Sequence, residues 1–319
     1  MSQDTPITSD DEADNPLPSG EARAAELIQL PSGTVLNEAQ AQALASNRPV
    51  RVIVIAGAVD CGKTTLLTSL YELFQSGPIN TSRFAGCATF PAFEQRCHLS
   101  RTDSDNVSAD TGRTIYDGPH PEYLHLRIQN GESDADDIDF LFTDVSGEMF
   151  EHARNSTDEC KRLTFLRRAC HFMVFLDCQK ALLADKKWGM VQDAKSLLQS
   201  CLDSGMLEAH CFVSVMWAKC DYFEAAKNQE TVSAFVKDIE DDFIASFGSR
   251  IPRLKFYRSA SRPSTFPRLN MGFGLRELLG DWITIWPQGR SMNLEPPEAN
   301  NGNREIDRFT KRHNPSRHS

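Results

Sequence analysis

The octet Gly57-Ala58-Val59-Asp60-Cys61-Gly62-Lys63-Thr64 fits the pattern GxxxxGK[ST]. Glycines let a backbone turn tightly and aim its N–H groups at anionic oxygens where a helix begins. Gly57, Asp60, Cys61, Gly62, Lys63, Thr64 and Thr65 therefore form a candidate phosphate cradle. Lys63 would bring a point charge to the β- and γ-phosphates, and the Thr64 hydroxyl would ligate Mg²⁺. The context agrees: the apolar run Val52–Ala56 precedes the octet, and Leu66, Leu67, Leu70 and Phe74 follow at helical spacing.

A second set is Asp144-Val145-Ser146-Gly147-Glu148, just beyond the strand-like run Ile138–Phe142. A strand-end carboxylate at Asp144 suits Mg²⁺ held through water. Gly147 lets the backbone approach a γ-phosphate closely enough for its N–H to sense it. Alone, Asp144 would read equally well as a cap on the following helix. The phosphate loop upstream favours the metal.

Two further loops close strand-like runs. Cys211–Trp217 leads into Ala218-Lys219-Cys220-Asp221, and Leu254–Arg258 into Ser259-Ala260-Ser261. The first resembles the NKxD motif of GTPases, which implies that Asp221 accepts hydrogen bonds from a guanine and that Lys219 packs over the nucleotide. The second resembles the SAK motif, which implies base contacts from Ser259 and the Ala260 N–H. Ala218 departs from the pattern and removes the side chain that would tie this loop to the phosphate loop.

The stretch from Phe74 to Pro121 is too long for an idle loop. It carries Asp110-Thr111-Gly112-Arg113-Thr114. Thr114 is the expected ligand for Mg²⁺ and the γ-phosphate, with Thr111 as the alternate. Arg113 is either an internal arginine finger or a solvated loop residue. Asp60 is offered either to a K⁺ ion beside the phosphates or to N–H groups of its own loop. The residues leave both choices open.

These loops need a scaffold, and the chain alternates strand-like with helix-like runs, the pattern of a mostly parallel α/β sheet. Further strands are expected at Tyr123–Ile128 and Phe172–Leu176. Helices are expected at Phe150–Ala169, Trp188–Leu202, Val232–Phe247 and Leu275–Ile285. No helix separates 123–128 from 138–142, so those strands are expected to pair antiparallel at an edge. Residues 1–48 read as a disordered and lead-in segment, 49–287 as the nucleotide domain, and 288–319 as a polar tail.

Composition narrows the classes. A formal net charge of −10 argues against a general nucleic-acid binder. Nine cysteines without CxxC spacing suit reduced thiols. The Cys97-His98 and Cys170-His171 pairs have no second pair at metal-site spacing and read as core or loop residues. The amino-terminal residues hold no apolar signal segment, and no 18-residue apolar run occurs. A cytoplasmic protein away from membranes is expected.

Taken in order, GAVDCGKTT, DVSGE, AKCD and SAS resemble the TRAFAC class of P-loop GTPases, Ras-like in layout. FAGCATFPAFEQRCHLSR and DVSGEMFEHARNSTDECKRLTFLRRACHFMVFLD are similar to the bacterial double-GTPase family, in its second type. The resemblance implies a six-stranded, mostly parallel sheet with one antiparallel edge strand and helices on both faces. It implies GTP and GDP as ligands, and Glu148 at the place of the water-orienting residue. It also implies a partner, either a second GTPase or an effector, in multi-gene systems of conflict or defence. DVSGE in place of DxPGH sets the chain apart from translational GTPases. Two alternatives stay open: a scaffold that holds nucleotide without turnover, and a P-loop ATPase or kinase without guanine preference.

Overall fold

The computed structural model describes residues 34–102, 121–131, 137–263 and 269–284. Thr111, Arg113, Thr114 and the 288–319 tail lie outside the described residues. The elements in chain order begin with α1 (Glu38–Asn47), β1 (Val50–Ala56), α2 (Lys63–Ser76), β2 (Arg83–Gly86), α3 (Phe90–Thr102), β3 (Glu122–Gln129) and β4 (Asp137–Asp144). Next come α4 (Gly147–Ala153), α5 (Thr157–Arg162), a 3₁₀ turn (Thr164–Arg168), β5 (Ala169–Asp177) and α6 (Cys178–Ala181). The last are α7 (Lys187–Asp203), β6 (Phe212–Ala218), α8 (Asp221–Ala225), α9 (Gln229–Phe247), β7 (Lys255–Ser259) and α10 (Leu275–Thr284).

The strands form one seven-stranded sheet in the order β2-β3-β4-β1-β5-β6-β7. β4, β1, β5, β6 and β7 run parallel, and β3 is antiparallel to both β4 and β2. The antiparallel pairing of 123–128 with 138–142 is as the sequence indicates. The sheet has one strand more than the six expected, because β2 adds a short edge inside the stretch read as a long loop. Much of the rest of that stretch is α3. Pro91 sits in its first turn, where a missing N–H costs nothing.

Strands buried on both faces read as unbroken apolar runs, and β1 shows why. Ile53 and Ile55 point into one core with Leu66, Leu70, Phe93, Phe142 and Leu278, beneath α2, α3 and α10. Val54 and Ala56 point into the other, with Phe150, Leu166, Leu198 and Phe243, beneath α4, α7 and α9. Leu36, just before α1, and Ala41 of α1 pack against Tyr123 and Leu141.

The segment expected as one helix, 150–169, is broken into α4, α5 and the 3₁₀ turn. Ser156 caps α5, its hydroxyl accepting from the Glu159 N–H at 3.2 Å, with Asp158 and Glu159 in the first turn. A Ser-x-x-Glu sequence starts a helix rather than continuing one.

One buried polar cluster makes the fold sensitive to acid. The Trp282 indole N–H donates to His171 Nδ1 at 2.6 Å, and His171 Nε2 lies 2.7 Å from Ser214 Oγ. The indole N–H fixes Nδ1 as the acceptor, so Nε2 carries the proton. Burial pushes the His171 pKa down to about 3, with Asp281 opposing it. Between its ordinary value near 6.5 and about 3, the unfolded chain binds a proton that the folded chain refuses. Stability is therefore present above that window and is lost as pH falls through it, by up to about 1.4 kcal/mol per pH unit. In urea melts from pH 7 to pH 4, His171→Gln should show a shallower loss than wild type. Parallel curves would remove His171 as the cause.

Candidate nucleotide site

β1 lies at the middle of the sheet, where strand order reverses between β4 and β5. Ligands of open α/β sheets bind beyond the carboxyl ends of the strands at such a point. The loop from Gly57 to Gly62 leaves β1 there. Gly62 (φ 98°) caps the amino terminus of α2 in the left-handed region, and Asp60 (φ 61°) shares that region. The Lys63 ammonium donates back to the carbonyls of Gly57 (3.0 Å) and Ala58 (2.8 Å). Cys61 is buried behind the loop, and burial pushes its thiol up against the opposing effect of Lys63. Thr64 and Thr65 stand half-buried in the first turn of α2.

Asp144 ends β4, next to β1, with its carboxylate 4% exposed. Arg96 of α3 reaches it and forms an ion pair. Ser146 caps α4, accepting from the Glu148 N–H at 3.3 Å, and leaves Glu148 half-exposed on the first turn. Gly147 lies flush on the phosphate loop. A Cβ there would stand 2.5 Å from the Val59 nitrogen and 2.7 Å from the Ala58 carbonyl carbon.

The loops after β6 and β7 meet the phosphate loop from the other side. The Lys219 ammonium donates to the Asp60 carbonyl and to Asp177 Oδ2, each at 2.8 Å. Asp177 ends β5, is 2% exposed, and also caps α6 through the Gln179 and Lys180 N–H groups. The tie that an asparagine at position 218 would have made is thus made by Lys219, with Asp177 holding it. Lys219 (φ 63°) is left-handed, which turns its stem back toward Asp60. Asp221 is buried at the start of α8, and the Cys220 N–H donates to the Ser259 carbonyl at 2.9 Å. Ser259 Oγ is buried with no hydrogen-bond partner among the described residues. The Ala260 N–H donates to the Phe273 carbonyl at 3.2 Å. Arg262 then pairs with Glu72 of α2, fastening this loop to the helix that carries Lys63.

The structure therefore gathers residues 57–65, Asp144, Gly147, Glu148, Lys219, Asp221, Ser259 and Ala260 on one edge of the sheet. Sequence reasoning missed Arg96 and Asp177. Asp177 had a signal: like Asp144, it is a carboxylate closing an apolar run. Arg96 had none, since only the packing of α3 brings it to Asp144. A cavity of about 420 Å³ also adjoins the loop, between α4 and α7, with Phe150, Val174, Met190 and Leu197 among its lining.

Fold and site together define a P-loop GTPase fold: a mostly parallel sheet with an antiparallel edge, a GxxxxGK[ST] loop on its central strand, and helices on both faces. The chain belongs to the Double-GTPase 2 family, whose profile matches residues 51–283. No curated protein matches it. Among the described residues, no helix is long and apolar enough to cross a membrane. Nor does any group of three His, Cys, Asp or Glu side chains there suit a metal ion.

Proposed function

We propose that the chain binds guanine nucleotide with Mg²⁺ at the carboxyl edge of β1 and hydrolyses GTP slowly, as a switch of the TRAFAC class. The observation that carries this reading is the Lys219 ammonium, which bridges Asp60 of the phosphate loop and Asp177 at 2.8 Å each. That bridge sets Asp221, two residues on, at a fixed place relative to the phosphates. The orphaned Ser259 hydroxyl supports a polar ligand there, because a buried donor without a partner is costly. The donor chemistry suits Mg²⁺: Asp144 and Thr64 offer hard oxygens, and water and phosphate oxygens would complete the shell. Mg²⁺ would supply positive charge to the phosphates during transfer. Lys63 would bind the β- and γ-phosphates, Gly147 would present its N–H to the γ-phosphate, and Glu148 would orient water. A second GTPase or an effector as partner rests on family membership.

Asp221→Asn tests the base assignment. A carboxylate accepts from both guanine donors, whereas an amide offers one donor and one acceptor, which suits xanthine. The variant should lose GTP affinity by at least tenfold and gain XTP affinity in competition titrations. An unchanged GTP/XTP preference would place the base elsewhere, and equal affinity for ATP and GTP in wild type would favour the ATPase or kinase alternative. Turnover measured with GTP separates a switch from a scaffold.

A further inference from the structure

Arg96 is the cation that Asp144 already has. Its guanidinium forms an ion pair with the Asp144 carboxylate, and its other terminal nitrogen donates to the Ala92 carbonyl at 3.0 Å. The two side chains are 18% and 4% exposed, so the pair is largely out of water. α3 is held in place by contacts of its own: Phe93 stacks on Tyr71 of α2 at 4.8 Å, and Tyr71 donates to Glu94 at 2.7 Å. The arginine is thus delivered to the carboxylate by a helix docked on α2, the helix that begins with Lys63 and Thr64.

We infer that Arg96 is a built-in competitor for the divalent ion at Asp144, so that loading Mg²⁺ with nucleotide evicts its guanidinium and loosens α3. The inference rests on the reading of Asp144 as a metal-site carboxylate. The guanidinium sits on Oδ2 of a carboxylate that is 4% exposed, so a hydrated divalent ion that comes to Asp144 meets a positive charge already seated there and must displace it or bear its repulsion. Without metal, Arg96 gives this largely buried carboxylate an ion pair, and removing one partner of a buried pair is destabilising. With metal, the ion does that work, and Arg96 loses its partner. Occupancy of the metal site is in this way transmitted to α3, which lies in the segment between the phosphate loop and β3.

The test follows fluorescent GDP binding to the full chain at increasing Mg²⁺ and constant ionic strength, so that screening is fixed. Arg96→Ala, and Arg96→Gln with a longer stem, should each lower the half-saturating Mg²⁺ concentration about tenfold, while lowering the melting temperature of the nucleotide-free chain. An ion pair with a structural role only would lower the melting temperature and leave the Mg²⁺ midpoint where it was. In an Asp144→Asn background, Arg96→Ala should no longer shift the midpoint, as a double-mutant cycle requires of a direct pair. A midpoint within twofold of wild type, a raised one, or a shift that survives in Asp144→Asn overturns the inference alone. Wild type that binds no fluorescent GDP at any Mg²⁺ concentration overturns the proposed function, and the inference with it. Hydrogen exchange on wild type needs no variant to fold: amides of α3 should exchange faster with Mg²⁺ and GDP than with GDP and a chelator. Equal exchange overturns the inference.

Discussion

Gly147→Ala is expected to displace the phosphate loop and to cost the folded chain about 1–3 kcal/mol, the range for overpacking a filled site. The added Cβ would stand 2.5 Å from the Val59 nitrogen and 2.7 Å from the Ala58 carbonyl carbon. Both neighbours are backbone, so no side chain can rotate away. Ala58 and Val59 lie between β1 and α2, and either they or the start of α4 must move. The melting temperature should fall by several degrees, and nucleotide affinity should fall with it, because the N–H groups of the loop no longer converge. Gly189→Ala is the control. Its Cβ would meet nothing within 4 Å on an exposed turn of α7, and alanine suits a helix better than glycine. It should leave melting unchanged or slightly raised. Equal melting of wild type and Gly147→Ala would mean that the loop tolerates the shift.

Lys63→Ala should do the opposite: little to stability, much to binding. Without nucleotide, the ammonium rests on the carbonyls of Gly57, which is buried, and Ala58, which is half-buried, through bonds that are themselves only partly buried. With nucleotide, its loss leaves phosphate oxygens short of charge-assisted hydrogen bonds worth about 1.5–3 kcal/mol each. We expect at least a hundredfold weaker binding of GDP and GTP by fluorescence titration, with the melting temperature of the nucleotide-free chain within about two degrees of wild type. Near-wild-type affinity would remove the phosphate-binding role from this loop. The two variants thus separate a position that shapes the site from one that supplies its charge.

The sequence was most legible where strands are buried on both faces. β1, β5 and β6 carry mostly apolar runs, broken only by Arg51, His171 and Ser214, so their ends, and the loops that carry Gly57, Asp177 and Lys219, could be located to within a few residues. β2 was not legible, because four residues with mostly exposed side chains leave no periodic signature. α4 and α5 merged into one expected helix because Ala153 and Cys160 stand seven residues apart, a helical repeat across the polar stretch between them, although the Ser156 cap marks the break. Asn37 likewise caps α1 with a reciprocal bond to Gln40, inside a segment read as lead-in. The candidate site was legible wherever a motif carries its own local geometry. It was not legible where one helix meets a distant strand: nothing near Arg96 says that α3 will bring it to Asp144. At Ala218 the missing asparagine suggested a looser loop, but Lys219 of the same motif ties it to Asp60, held by Asp177 from outside the motif.

The place of β1 in the sheet has a consequence for how the chain is born. Its neighbours, β4 and β5, are both synthesised after it, with Ala56 paired to Val174. While the intervening chain emerges from a ribosome, β1 has two open edges and an apolar sequence, the state most exposed to aggregation. The phosphate loop gains its second flanking strand only when β5 is out, and Asp221 and Ser259 follow later still. Pairing over such distances is slow, since loop-closure entropy must be met before contacts form. A nascent chain stopped before β5 would carry the whole GAVDCGKTT sequence without the sheet that shapes it.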